Sequence, residues 1–535
     1  MRDLVLVNGR LWSGGLLAAD AVRLGDGRIV AVGRAAELAT PDADVRDAAG
    51  ATVTPGLVDA HLHFTPWARA RMQPDLHGQR SRAEALVVIA RALIPGGTGT
   101  LVGRGWDESE WHEPPHRATL DALASERPVL LHRHDFHALW VNSAALRAAG
   151  ITRHTPEPAG GTFERDASGE LTGVVREHAV AAFAALEEAA GPALTPALLD
   201  AAAHALHAQG VTGVHDYQRN HDDWQRMHAL AARHQLRVLQ HIGSEQLQQA
   251  RSLGLAALAG DDWFRTGSLK LFADGTLGSR TALMLERYDD TDTLGMALLS
   301  RDELVAAVGE AAAAGFSVTI HAIGDRAARH ALDAIEAHHA RLRTLPLPPR
   351  IEHVQLLDDA DRPRFRALGV AASMQPQHAA SDAAVARRAW GVRCDRSYPW
   401  ATLAAAGVTL AFGSDAPVEP PCAALGLAAA VERMGADRLP FVPAQAVSLD
   451  VALAAYTSGA AALAAGRLGS GRLAVGEPGD VVVWDRDLHR VAGHELAAAR
   501  PRWTALAGQI VYDSHLDPDA GSPAGTAAHA HGTPR

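Results

Sequence analysis

The stretch Thr54-Pro-Gly-Leu-Val-Asp-Ala-His-Leu-His-Phe64 decides how the rest of the chain is read. A turn at Pro55-Gly56 leads into a short apolar run, Leu57–Ala60, and then into two histidines. His61 and His63 stand two residues apart, so on a strand both imidazoles leave the same face. Two such imidazoles at a strand end can grip one metal ion, because neutral imidazole is a favoured zinc ligand. In a chain with 28 histidines the spacing alone is weak evidence. It gains meaning only if other strand ends carry groups that converge on it.

Between residues 55 and 471, strand-like runs alternate with alanine-rich helical stretches, the pattern of a parallel sheet with crossover helices. Eight strands are expected: Leu57–His61, Val211–His215, Leu236–His241, Ser268–Ala273, Ser317–His321, Arg350–Val354, Val370–Gln375 and Val408–Ser414. Helices such as Arg301–Ala314, Arg326–Ala340 and Ala423–Arg433 fall between or after them, and Gly-Val pairs at 210–211, 369–370 and 407–408 mark helix ends passing into strands. The fold class this predicts is α/β, a (β/α)8 TIM-like barrel. The long gap after the first strand requires an insertion at about 66–195, where Thr98–Val102 and Val129–Leu131 are further strand candidates. Residues 1–54 and 472–515 read as short strands with turns, which suggests one small β-sandwich built from both termini. Residues 516–535 are rich in Gly, Pro and Ala and are expected to be a disordered tail, with His529 and His531 as bystanders.

Composition narrows the function. A net charge of −11 and the lack of a basic stripe argue against nucleic acid. No run of 18 apolar residues and no export signal is read, so neither a membrane span nor secretion is expected. Two cysteines, Cys394 and Cys422, make no disulfide framework and fit a cytoplasmic protein. Among 50 basic residues there is a single lysine, Lys270, set in the apolar run Ser268-Leu-Lys-Leu-Phe-Ala-Asp274. Unlike arginine, a buried lysine can lose its proton and act as a nucleophile.

In a barrel, chemistry sits at the C-terminal strand ends. His61 and His63 end the first expected strand, Lys270 lies in the fourth, His321 ends the fifth, His353 the sixth, and Asp415 the eighth. Each has a plain structural explanation by itself, a core histidine or a helix cap. Their recurrence at five strand ends argues for a shared metal site.

The arrangement resembles the amidohydrolase superfamily, and more narrowly its amidohydrolase-3 branch, which includes N-substituted formamide deformylase-like proteins. The residues that carry the resemblance are Pro55–His63, Lys270–Thr281, His321–Asp325, Ile351–Gln355, Gly413–Val418, Gly105–Glu108, His134–Ser143 and Gly479–Trp484. Phe136 departs from it, standing where the branch commonly has glycine. The resemblance implies a binuclear centre, usually zinc, with His61, His63 and Asp415 on one ion and His321 and His353 on the other. It also implies that Lys270 is carboxylated by CO2 to a bridging carbamate. A carbamate suits that place physically, since its two oxygens and negative charge offset the repulsion of two cations.

The reaction this implies is hydrolysis of a non-peptide C–N bond in a small amide, such as an N-formyl or N-acyl amine. A metal-activated hydroxide attacks, with Asp415 as general base and then acid. Cyclic amides, lactones or phosphoesters are the alternative substrates of the same centre, and a non-catalytic metal-binding protein is the alternative of another class. Trp106, Asp107, His134, His137, Trp140, Asn142, Arg280 and Gln375 are the candidates for substrate binding, and His215 is a further candidate for the barrel mouth. Glu84, Glu177 and Glu432 read as solvated helix charges. The expected partner is a small-molecule amide, without nucleic acid or membrane. The oligomeric state stays open, with a homodimer as the candidate.

Overall fold

Eight parallel strands form one sheet in the computed structural model of the protein, which describes residues 2–93, 99–108, 111–134, 136–158, 160–190, 194–217 and 221–517. The strands are β1 (Leu57–Leu62), β2 (Val211–Tyr217), β3 (Arg237–Gly243), β4 (Phe264–Phe272), β5 (Val318–Ala322), β6 (Arg350–His353), β7 (Ala371–Met374) and β8 (Leu410–Phe412). They neighbour one another in chain order, as a (β/α)8 barrel requires. Helices Arg301–Ala313, Asp325–Ala337 and Ala423–Glu432 lie close to where periodicity placed them. Gly210, Gly369 and Gly407 adopt φ of +79°, +66° and +70°, the left-handed turn that ends a helix just before a strand.

The barrel closes where β1 meets the segment after β8. The Asp415 amide donates to the His61 carbonyl at 2.6 Å and the His63 amide to the Ala416 carbonyl at 2.8 Å. Asp59 adds a side-chain clamp, its carboxylate accepting from the Ser414 hydroxyl at 2.6 Å and from the Ser414 and His61 amides. A Cβ at Gly413 would stand 2.4 Å from the His61 nitrogen, so only glycine lets the two segments approach this closely.

Two strands differ from their expected lengths. β2 runs on to Tyr217, which puts the side chains of His215 and Tyr217 on one inner face. β8 stops at Phe412, so Asp415 sits in a loop three residues later instead of on the strand. Ser414 and Asp415 bond across the seam to β1, which ends the ladder to β7.

Both termini contribute to the sheets beside the barrel. Leu4–Val7, Ala21–Gly25, Arg28–Gly33 and Asp44–Asp47 form one sheet. Thr52–Pro55 pairs with Val481–Trp484 in a second sheet that also holds Pro501–Leu506 and Gln509–Asp513. Leu4, Leu24, Ile29, Val53, Val481 and Trp503 share one core. Only Gly56 separates Thr52–Pro55 from β1, so this sheet feeds directly into the first ligand-bearing strand. Past the last strand, Asp517 reaches back to His204 Nε2 at 3.0 Å. The rest of the expected disordered tail, from 518 with His529 and His531, lies outside the described residues.

Residues 65–195 form a compact unit of their own. Its five-stranded sheet has the order Gly161–Arg165, Leu171–Glu177, Ala138–Val141, Val129–Arg133, Leu101–Trp106. The two additional strand candidates therefore belong here and leave the barrel count at eight. Phe136 has φ of +61°, a conformation glycine adopts without strain, which accounts for the glycine expected at this position. Among the described residues no helix is long and apolar enough to cross a membrane.

Candidate metal centre

Four histidines and one aspartate converge inside the C-terminal end of the barrel. His61, His353 and Asp415 offer ligand atoms all within 4.8 Å of one another. His61 Nε2 and His63 Nε2 each stand 3.4 Å from Asp415 Oδ1. The His321 ring centroid is 4.4 Å from that of His353, which is 5.0 Å from that of His61. The close triad thus draws His61 and Asp415 from the set expected for one ion and His353 from the set expected for the other.

Each imidazole is anchored through one ring nitrogen by an oxygen that accepts its N–H. His61 Nδ1 donates to Glu352 Oε2 at 2.7 Å, His63 Nδ1 to the Tyr217 carbonyl at 2.9 Å, and His353 Nδ1 to Gln375 Oε1 at 2.8 Å. His321 is reversed, its Nε2 donating to the Gly275 carbonyl at 3.1 Å. A neutral imidazole whose proton is committed outward has its lone pair on the other nitrogen, which is how a metal-binding histidine is prepared.

Charge reinforces this. Burial, followed by the nearby Lys270 cation, pushes His61 down to about 4 and His321 down to about 3, and burial with His321 beside it takes His353 well below its usual range. These rings are neutral at neutral pH. Burial opposes ionisation of Asp415, yet the facing His61 and His63 side chains hold its carboxyl well below the ordinary value. Neutral imidazoles and an ionised carboxylate are the donor set a divalent cation of the zinc type takes, so the residues present fit such an ion. Two of them carry a backbone mark of function: His353 and Asp415 have φ of +72° and +58°, and strained residues of this kind cluster at active sites.

Lys270 is buried on β4, its Nζ 4.4 Å from the Tyr217 ring centroid and 4.9 Å from that of Phe272. It lines an open cavity of about 390 Å³ together with His63, Tyr217, Phe272, Glu245 and Leu298. That volume suits a small organic molecule.

The expected substrate residues meet different fates. Gln375 is buried, and its carbonyl oxygen accepts from His353, so it orients that imidazole. Arg280 is committed to Asp290 and to the carbonyls of Leu277 and Gly278. His215 is buried in the barrel interior, 2.9 Å from Arg350, and does not reach the mouth. In the unit of residues 65–195, Trp106 and Trp140 are core aromatics, with Trp106 Nε1 donating to the Leu131 carbonyl at 2.7 Å. Asn142 caps a helix, its side chain accepting from the Ala145 amide at 2.9 Å. Asp107, His134 and His137 keep partial exposure, with His134 Nε2 3.7 Å from Asp107 and His137 paired to Glu177 at 2.8 Å. Glu177 is thus the partner of a histidine at a strand end and not a free helix charge.

One residue of first importance was not singled out by sequence. Glu352 precedes His353 on β6 and lies in the barrel interior. Its Oε1 accepts from the Thr319 hydroxyl at 2.6 Å and the Tyr217 hydroxyl at 2.8 Å and pairs with Arg350 at 2.9 Å, while Oε2 takes the His61 proton. Burial would raise its carboxyl, but Arg350 and then His61 outweigh burial and hold it well below the usual range. The available signal was two opposite charges two residues apart, Arg350 and Glu352, on a short strand expected to lie inside a barrel. Glu352→Gln is expected to weaken metal binding about 10- to 100-fold by loosening His61. It should also cost about 3–5 kcal/mol of stability by leaving Arg350 buried without its counter-charge. Metal titration and denaturant unfolding measure the two effects separately.

A model of the amidohydrolase family matches residues 44–512. The putative amidohydrolase YtcJ of Bacillus subtilis is 31% identical over 540 residues, covering 94% of this chain and 99% of its own. The N-substituted formamide deformylase of Arthrobacter pascens is 30% identical over 543 residues, covering 96% and 99%. Among solved structures, an uncharacterized metal-dependent hydrolase from Pyrococcus horikoshii superposes with a TM-score of 0.75 at 26% identity, over 92% of this chain and 99% of that one.

Proposed function

The chain belongs to the amidohydrolase family of metal-dependent hydrolases, and from that premise we propose that it hydrolyses a C–N bond other than a peptide bond in a small linear amide. An N-formyl or N-acyl amine is the substrate class, supported by the similarity to a formamide deformylase and by a cavity of small-molecule size. The observation that carries the reading is the set of outward-anchored imidazoles around Asp415, with the chain's single lysine on the neighbouring wall.

His61, His63 and Asp415 would hold one divalent ion and His321 and His353 the other, with Lys270, carboxylated, between them. Zinc suits this donor set. Such a pair of ions supplies an acidified water and a Lewis acid for the substrate carbonyl. Asp415 takes the proton of the attacking water and delivers it to the departing nitrogen, because a neutral amine leaves far more readily than an amide anion. Glu352, Gln375 and the carbonyls of Tyr217 and Gly275 keep the four imidazoles in one tautomer throughout. Tyr217, Phe272 and Leu298 present apolar surface to the substituent of the amide. Two buried free cysteines, Cys394 and Cys422, support a reducing cytoplasm as the compartment.

The test is a screen of metal-reconstituted protein over formamides, N-acyl amines, lactams, hydantoins and lactones, with metal counted per chain. Two metals and turnover of linear amides are expected. Turnover confined to lactones, or a protein that takes up no metal, would overturn the reading.

A further inference from the structure

Beside the ligands stands a histidine that the reaction as described leaves without a task. His378 lies on the short helix Pro376–Ser381 after β7 and is 6% exposed. Its ring is nearly parallel to that of His353, at 12° and 5.9 Å between centroids. His378 Nε2 is buried, makes no hydrogen bond, and stands 3.8 Å from Asp415 Oδ2. The two Asp415 oxygens thus have separate surroundings: Oδ1 faces His61 and His63, and Oδ2 faces His378.

Which His378 nitrogen carries the proton follows from its neighbours. Gln355 Nε2 lies 3.3 Å from Asp382 Oδ2, and that same oxygen accepts from the Tyr398 hydroxyl at 2.9 Å. An amide end that faces a carboxylate is the NH2 end, so Gln355 Nε2 is a donor. Its second hydrogen is directed at His378 Nδ1, 3.5 Å away, which makes Nδ1 the acceptor. With Nδ1 the acceptor, the ring N–H sits on Nε2 and points at Asp415. The series Tyr398–Asp382–Gln355–His378 ends in a donor aimed at the carboxylate proposed to move the proton.

We propose that His378 is a positioning residue for Asp415. Its Nε2–H is directed at Oδ2 across 3.8 Å and, by attraction to that oxygen, disfavours rotation of the carboxylate, so that Oδ1 stays with the imidazoles of His61 and His63. A buried N–H left without a partner is unfavourable, and Asp415 Oδ2 is the acceptor it faces. This role rests on the reading of Asp415 as general base and acid, but part of its test does not need turnover.

His378→Ala is compared with His378→Gln, which keeps a side-chain donor, and with Gln355→Leu, which removes the partner that fixes the ring proton. In His378→Ala, metal content and KM for an N-formyl amine are expected to stay within about 2-fold of the parent while kcat falls about 10- to 100-fold. Gln355→Leu is expected to shift kcat in the same direction by less, and His378→Gln to recover part of the loss. The cobalt-substituted proteins give a readout without substrate: freeing Asp415 should shift the visible absorption bands of Co2+ in His378→Ala and less so in His378→Gln. An unchanged kcat together with an unchanged cobalt spectrum would overturn the proposal. So would loss of metal together with a lowered melting temperature, since that is a structural role. If the parent protein hydrolyses no amide, the proposed function fails, and the cobalt spectra still decide the role of His378.

Discussion

Lys270→Ala is expected to lose most bound metal and to lower hydrolysis by on the order of 1,000-fold or more. The lysine is buried on β4 against Tyr217 and Phe272, and no other lysine exists in the chain to take its place. Imidazole ligands bring no negative charge, so with Asp415 alone two divalent cations would have a single protein negative charge between them. A carbamate at Lys270 would supply the second, and alanine could not. Acetate or propionate added at millimolar concentration should enter the vacated space and restore part of the metal content and part of the rate. Lys270→Arg keeps a positive charge and cannot be rescued, because it fills that space. Metal analysis and initial rates with and without the acid measure both outcomes. A metal-replete and fully active Lys270→Ala protein would remove the bridging role from the account.

Asp415→Asn should separate binding from proton transfer. The amide oxygen preserves the shape of the side chain but cannot accept and return a proton. With general acid–base catalysis contributing about 10²- to 10⁴-fold, kcat should fall by that order while KM changes little. Because the Asp415 carboxyl is held well below its usual range, the wild-type group stays ionised down through mildly acid pH. Loss of rate on acidification near neutrality should therefore come from another group, and the variant should retain that pH dependence at its lower level. Rate profiles of both proteins on one substrate test this directly. Near-parental kcat in Asp415→Asn would mean that a different residue carries the proton.

Much of the architecture was legible because barrel strands are buried on both sides, so most of them stand out as short, largely apolar runs, several entered through a glycine turn. The runs at 57, 211, 236, 268, 317, 350, 370 and 408 each became a strand of the one sheet. The side chains that converge in the barrel were legible for a related reason: histidine and aspartate are conspicuous at the end of such a run. What sequence could not give is which acceptor each ligand ring finds. His61 and Glu352 are 291 residues apart, and nothing local to either residue announces the other. The candidate substrate residues were less legible. Trp106 and Trp140 are of a type that serves a core as readily as a pocket, and here they build a core. Arg280 looked available until the fold brought Asp290 to it.

The seam between β1 and β8 also fixes when the centre can come into being. The Ser414–Asp59 bonds that close it join residues 355 apart. Synthesis runs from the N-terminus, so His61 and His63 leave the ribosome long before Asp415 is added to the chain. A contact of such separation forms late, after the nearer strands have paired. A nascent chain ending anywhere short of residue 415 owns two of its imidazoles from the outset and still has no complete site. The full set of converging side chains therefore exists only once residue 415 has been added and the seam with β1 can close.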